Sequence, residues 1–350
     1  MAKTPEIDLR DTKLVDNLLI NGRLNYWQRG TSASLNLTTA TNGTARVADR
    51  FAGFANRVTN NQNYTWSQQA DVPAAIETGS VLPFSIRCTA NLNHAFTGED
   101  RVNGLFQIIE GSLVSSIAQN QKLHVSFWFK SNIAIPVAAI RVALSTNGAS
   151  IANSYVTTFS YTTANAWQKV SFVIDLPGVN FHTGAGAAIA LNLLDIAGST
   201  SVLQTSSLNT WLSADKTTTP TATNWAATSG NWVQFAGLSI TTNEVANVPL
   251  AARNTLEELR LCQRYYEVSS GRNISRTNAS PSWSLTYPEA VYLTFKTTKR
   301  ATPLVTVQTD ANSHTMTATP TVDGIQYAAP QNGVGTFYVY VLGFTADAEL

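Results

Sequence analysis

The segment KLHVSFWFK, residues 122–130, sets Leu123, Val125, Phe127 and Phe129 against Lys122, His124, Ser126, Trp128 and Lys130. Successive side chains of a strand point to opposite faces, so this alternation predicts a strand with one face in a core and the other toward water. AWQKVSFVID (166–175) repeats it, with Val170, Phe172 and Ile174 opposed to Lys169 and Ser171, and stops at the turn sequence DLPG. IRVALS (140–145), SYVTTFSY (154–161), GAAIALNLLD (186–195) and NWVQFAGLSI (231–240) supply further strands. No amphipathic helical pattern intervenes between Asn17 and Val245. A parallel α/β sheet would need a crossover helix at each step. The fold class predicted is therefore all-β, an antiparallel jelly-roll-like sandwich over residues 17–245. Near its start, Asn21-Gly22 between LLI and RLNYW predicts a tight hairpin.

The chain has 350 residues, enough for a second folding unit. NTLEELRLCQRYYE (254–267) predicts one helix, opened by a capping box in which Thr255 precedes Glu258 by three residues. Leu256, Leu259, Cys262 or Gln263, and Tyr266 fall on one helical face. Residues 246–270 then read as a linker and helix. Residues 271–350 read as a small C-terminal β domain, carried by AVYLTFKTT (290–298), PLVTVQ (303–308), an Asp323-Gly324 hairpin before IQYAA, and GTFYVYVLGF (335–344). Residues 1–16 show alternating charges without a strand period and read as a docking arm.

Charged residues make up 13% of the chain, well below the globular average of about a quarter. Its polar surface must be built from Ser, Thr and Asn, as in 35–44 and 217–229. The formal net charge of +1, with Lys and Arg scattered singly, provides no footprint for nucleic acid or an anionic membrane surface. The apolar run 133–144 is interrupted by Pro136 and Arg141 and is too short to span a bilayer as a helix. Cys88 and Cys262 read as buried thiols, and the polar start MAKTPEIDLRDTK lacks a signal-peptide h-region.

Several segments together resemble a group of bacteriophage tail fibre and fibre-like virion proteins that contain a carbohydrate-binding-module-type sandwich. The resemblance is carried by NLLINGRLNYWQRG (17–30), ADRF (48–51), LHVSFWFKS (123–131), AWQKVSFVI (166–174), NTW (209–211), NWVQFAGLSI (231–240), EELRLCQRYYE (257–267) and ADAEL (346–350). It implies a virion component assembled in the host cytoplasm, commonly a homotrimer, whose sandwich binds glycans or acts as a spacer. The stretch SITTNEVANVPL (239–250) departs from the Glu-Gly turn with which that group often continues the last sandwich strand.

Candidate sites follow from chemistry. Aromatic rings stack on pyranose faces, and Trp66, Trp211 and Trp225 lie among small polar residues, so they are the predicted glycan-binding residues, ahead of the strand tryptophans Trp128 and Trp167. Leu259, Tyr266, Tyr338 and Tyr340 are the predicted oligomer contacts. Glu110, Asp175 and Asp195 end apolar strands, where acids also simply start turns, and no catalytic signature accompanies them. No metal site is predicted: His94, His124, His182 and His314 lack ligand spacing, and Glu99 and Asp100 in HAFTGED read as a solvated loop ahead of a calcium site. No cofactor is expected. The function predicted is a non-catalytic structural or adhesive virion protein, partnered with itself, with other virion proteins through the arm and with a host surface glycan. A capsid-decorating protein and a polysaccharide depolymerase are the alternatives.

Overall fold

In the computed structural model, the described residues are 17–39, 41–75, 81–115, 117, 121–178, 180–242, 253–272, 290–309, 317–328 and 341–349. They form two compact units, Met1–Arg253 and Asn254–Leu350. The first is an antiparallel sandwich of two sheets. In chain order its first strands are β1 (Ser32–Leu37), β2 (Thr41–Arg46), β3 (Ala52–Arg57), β4 (Gln62–Gln69), β5 (Ser85–Ala90) and β6 (Arg101–Glu110). A single helical turn, α1 (Gly111–Val114), precedes β7 (Lys122–Ser131), β8 (Ile135–Gly148), β9 (Ile151–Tyr161) and β10 (Gln168–Asp175). The last are β11 (Ala187–Leu193), β12 (Ile196–Ala197), β13 (Trp211–Leu212) and β14 (Trp232–Thr241). One sheet runs β1-β4-β5-β14-β7-β10; the other runs β13-β9-β8-β11-β6-β3-β2, with β12 beside β6. Each predicted sandwich strand is present.

Between the sheets lies one apolar core. Leu123, Val125, Phe127 and Phe129 of β7 are buried in it, facing Ile140, Val142 and Leu144 of β8. Phe129 meets Tyr161 edge-on at 5.0 Å, and Phe127 meets Phe159 at 5.9 Å, the quadrupole-favoured arrangement. Asn17–Leu24 is not the predicted hairpin. Asn21 adopts φ 60° in a turn closed by Leu24 N–H on the Asn21 carbonyl. This turn docks on β14 through the Leu18 N–H to the Ile240 carbonyl and the Leu238 N–H to the Gly22 carbonyl. The tight-turn dipeptide is used, but its flanks pair with a distant strand instead of with each other.

The outer faces of the two sheets differ. Ala139, Arg141 and Ala143 of β8 and Ala190 and Asn192 of β11 are buried although they point away from the core, because the chain after β12 crosses them. Asp215 pairs with Arg141 at 2.6 Å, the Ser154 hydroxyl donates to the Ala214 carbonyl, and Thr218 donates to the Asp195 carbonyl. On the other sheet Lys169, Ser171 and Val173 of β10 are exposed and the outer positions of β7 are only half-buried, His124 excepted. Loop 94–100 is fastened by its own acids. Asp100 accepts from the backbone N–H groups of Val58, Thr59, Asn60 and Thr97, and Glu99 accepts from Ser201 and Val202. Burial acts to raise the Asp100 pKa, but those four backbone donors outweigh it and hold the carboxyl below its ordinary range.

The second unit opens with α2 (Thr255–Gln263). It continues with β15 (Tyr266–Arg272), β16 (Ala290–Thr294), β17 (Leu304–Thr309), β18 (Thr317–Pro320), β19 (Gly324–Ala328) and β20 (Val341–Asp347). These strands make two small sheets, β15-β20-β17 and β16-β19-β18. The hairpin at Asp323-Gly324 joins β18 to β19 as expected. The helix falls in this unit, and the last part of the predicted 246–270 stretch is strand, because β15 begins at Tyr266 and pairs with β20; residues 246–252 lie outside the described residues. Its cap also lies one residue earlier than the capping box predicts: Asn254 Oδ1 accepts the Leu256 N–H at 2.9 Å. Glu258, Cys262 and Gln263 are buried, whereas Leu256, in the first turn, is 68% exposed. Leu259 and Tyr266 are half-buried, Tyr266 on a strand; Tyr338 and Tyr340, the arm 1–16 and His314 lie outside the described residues. Among the described residues no helix is long and apolar enough to cross a membrane, and Cys88 and Cys262 are both buried.

A buried ion pair anchors the small unit. Lys299 Nζ lies 2.7 Å from Glu267 Oε2 and also donates to the Gln263 carbonyl at the end of α2. Lys299→Met leaves Glu267 buried and unpaired and should cost about 3–5 kcal/mol, with Lys299→Met/Glu267→Leu recovering much of it; urea unfolding of the full chain measures both. In the sandwich, the depressed Asp100 pKa stabilises the fold above its unfolded value near about 3.9, and the contribution is lost as pH falls through the lower folded value. Asp100→Asn should therefore be less stable at pH 7 by about 1–3 kcal/mol. The gap to wild type should narrow below about pH 4; a gap that stays constant down to pH 2 in thermal melts would contradict the role given to the carboxylate.

Candidate functional site

The open face of the six-stranded sheet carries a continuous polar and aromatic network, built where the strand alternation turns side chains outward. In β14, Val233 and Phe235 enter the core, so Trp232 and Gln234 point out; in β7, Phe127 and Phe129 go in, so Trp128 and Lys130 point out. Strand register places Arg87 of β5 beside Gln234, and Gln234 beside Lys130. Trp167 comes just before β10, whose Gln168 pairs with Phe129.

The Arg87 guanidinium lies 4.1 Å from the Trp232 ring centroid, and its Nε donates to Gln234 Oε1 at 2.8 Å. Gln234 Nε2 donates to the Asp71 carbonyl at 2.9 Å and to the Ser85 hydroxyl oxygen at 2.7 Å. The Asp71 carboxylate in turn accepts from Lys130 Nζ at 2.8 Å and from Trp167 Nε1 at 3.3 Å, and Lys130 also lies over the Trp167 ring. Burial acts to raise the Asp71 pKa, but the Lys130 and Trp167 hydrogen bonds and the charges of Lys130 and Arg87 outweigh it, so the carboxyl sits below its ordinary range. Burial lowers the Arg87 pKa against the Asp71 charge. Farther along the face, His124 Nε2 lies 3.0 Å from the Ser171 hydroxyl, and burial with the Lys169 charge lowers its pKa, so the ring is neutral at pH 7.

Trp232, Trp128 and Trp167 are all half-buried. Trp232 and Trp167 are two strands and two residues apart, about 12 Å between backbones. That spacing spans more than one sugar ring. Two ring faces held by fixed polar groups can stack on pyranoses while neighbouring cations donate to their oxygens.

The predicted glycan tryptophans fare differently. Trp66 is fully buried and donates from Nε1 to the Gly104 carbonyl at 2.7 Å; Trp225 is fully buried with Nε1 on the Leu194 carbonyl. Both are core residues, since an indole set among small polar residues finds its partner in a backbone carbonyl as readily as in solvent. Trp211 is half-buried at the edge of the second sheet, beside Tyr155 at 5.6 Å, with Nε1 on the Asp175 carbonyl. Asp175 ends β10, the strand that Trp167 precedes, so Trp211 does not join the network. The strand tryptophans passed over in the sequence are the ones at the open face. Their signal was available: Trp128 shares the register of Lys122, His124, Ser126 and Lys130.

The candidate acids do not converge. Glu110 is buried at one end of β6 and bonded by Ser112, while Asp195 is buried beside the other end, 3.3 Å from Arg101. Register separates them by about eight residues, roughly 25 Å, far beyond the spacing of a glycosidase pair. Burial raises the Asp195 pKa against Arg101 and Arg141. The Asp175 side chain is 84% exposed, 3.9 Å from Lys122. Among the described residues no three His, Cys, Asp or Glu side chains group as metal ligands.

No family model matches the sequence, and no curated protein matches it. Among solved structures, the chain is similar to the enzymatically active domain of bacteriophage CBA120 tailspike protein 4, with 11% identity, 65% of this chain and 21% of that chain covered, and a TM-score of 0.33. It is also similar to the arabinose-bound MgGH51 α-L-arabinofuranosidase, at 16% identity, with 72% and 33% covered and a TM-score of 0.33. A third similar structure is the family 11 carbohydrate-binding module from Clostridium thermocellum in complex with a β-1,3-1,4-mixed-linked tetrasaccharide, at 9% identity, with 60% and 94% covered and a TM-score of 0.29. The chain thus spans a fifth of the tailspike structure and a third of the arabinofuranosidase, and no residue correspondence is drawn from any of the three.

Proposed function

We propose that this chain is a non-catalytic adhesive protein of a virus particle that binds a surface glycan through the open face of its six-stranded sheet. The observation that carries the reading is the unbroken chain Trp232, Arg87, Gln234, Asp71, Lys130 and Trp167 on the outer face of the six-stranded sheet, where Asp71, from the segment after β4, reaches Lys130 and Trp167 and the indoles stay half-buried. Indole rings on a flat sheet suit the apolar faces of sugars, and a rigid polar network between them loses little entropy on binding. The virion assignment is supported by the sequence resemblance and the neutral Ser/Thr/Asn-rich surface. A gold-labelled image of the particle tests it.

Trp232→Ala and Trp167→Ala each remove one stacking surface from the outer face without touching the core. Each should weaken binding to host surface polysaccharide about 3- to 10-fold in calorimetry, with the melting temperature nearly unchanged. Trp211→Ala should leave affinity unaltered. Equal affinity in all three variants and wild type would place binding elsewhere. Release of new reducing ends from the polysaccharide would show a hydrolase instead.

A further inference from the structure

We infer that the glycan taken by this platform is anionic, with a sugar carboxylate held by the Arg87 guanidinium; the inference rests on the glycan-binding reading above. The argument is which hydrogen-bonding capacity the network leaves over. Gln234 is used at both ends, its Oε1 by Arg87 and its Nε2 by Asp71 and Ser85. Asp71 Oδ1 and Oδ2 are engaged by Trp167 and Lys130. Each of these acceptors already holds at least one donor, so the capacity left wholly unused is donor capacity carried by cations.

Arg87 is the group best prepared to use it. Trp232 beneath the plane and Gln234 on Nε fix the guanidinium, while its Nη groups have no acceptor among the described residues. A planar, immobilised fork of that kind matches the two oxygens of a carboxylate and pays little entropy to do so. The surrounding charge agrees. Lys130 is answered by Asp71 and Lys122 by Asp175, whereas no carboxylate among the described residues lies within ion-pair distance of Arg87 or of Lys169, which is exposed opposite Trp128. The face is therefore net positive on a chain whose total charge is only +1. Trp232 serves twice, as the plane that orients Arg87 and as a ring beside the bound sugar.

The test compares the full chain on polygalacturonate, alginate and hyaluronate with the methyl esters of the same polymers, which keep the sugar rings and lose the charge. At least one acidic polymer should bind about tenfold or more tighter than its ester, and the preference should shrink between 50 and 500 mM salt as the charges are screened. Arg87→Gln should abolish the preference, so that this variant binds the acid and ester forms of each polymer equally. Arg87→Lys, which keeps the charge but not the fork, should restore only part of it. Equal binding of acid and ester forms would overturn the anionic assignment and leave the glycan reading standing. Binding to none of them, with the same result for neutral host polysaccharide, would overturn both. The salt and ester comparisons use the wild-type chain, so they decide the matter even if an Arg87 variant fails to fold.

Discussion

Trp66 ties the two sheets together, and the rest of the sandwich is arranged around it. From β4 of one sheet its indole N–H crosses the core to the Gly104 carbonyl in β6 of the other. A buried N–H without an acceptor is costly, so this bond fixes where the sheets meet as well as that they do. The close approach requires glycine at position 53 of β3, where an added Cβ would lie 1.9 Å from the ring. Tyr64, two residues before Trp66, continues the layer to His94 at 4.5 Å and to Trp225 at 6.1 Å. With Tyr64 and Trp66 pointing inward, the pleat sends Thr65 and Ser67 outward, and register then sets Ser67 beside Arg87. The position of the binding face is thus a consequence of which side of β4 the indole occupies.

The unequal treatment of the two outer faces decides where a ligand can go. Crossing the second sheet, the segment after β12 buries alanines and Arg141, with which its half-exposed Asp215 pairs. Small residues at Ala139, Ala143 and Ala190 let that segment approach closely. The first sheet carries large or charged outer residues in the equivalent role, Trp232, Gln234, Trp128 and Lys130; Gln234 is covered completely, with Asp71 from the segment after β4 bonded to it, while the indoles around it stay half-buried.

Much of this was legible because strand alternation is a local property. The segments 122–130, 166–175 and 231–240 announced their inward and outward faces, and the all-β sandwich followed. The hairpin at Asp323-Gly324 was equally local. What failed depended on distant partners. Asn21-Gly22 looked like a self-contained hairpin, yet its neighbours bond to β14 more than two hundred residues away. The helix face was misjudged because Glu258 is buried while Leu256 is exposed, and because the helix gives way to strand before Tyr266. Trp66 and Trp225 looked exposed because their neighbours are polar, whereas their acceptors, the Gly104 and Leu194 carbonyls, are remote in sequence. Asp71 could not be found at all without the fold, since it gathers Ser85, Lys130, Trp167 and Gln234 from separate strands.

The same network sets how the face responds to its surroundings. Asp71 is held below the ordinary carboxylate range, so it stays ionised wherever the protein is folded at physiological pH and keeps Lys130 and Trp167 in place. Arg87 remains a cation, because a guanidinium does not lose its proton in a protein at these pH values. His124, the one titratable imidazole on the face, is pushed toward its neutral form by burial and by Lys169, so its charge does not appear until the medium is more acidic than its ordinary midpoint. Around neutral pH the charge pattern of the face is therefore set by Arg87, Lys130, Lys169 and Asp71, with His124 uncharged. On the proposed reading, affinity that rests on Arg87 and two fixed indoles would vary with ionic strength more than with pH near neutrality.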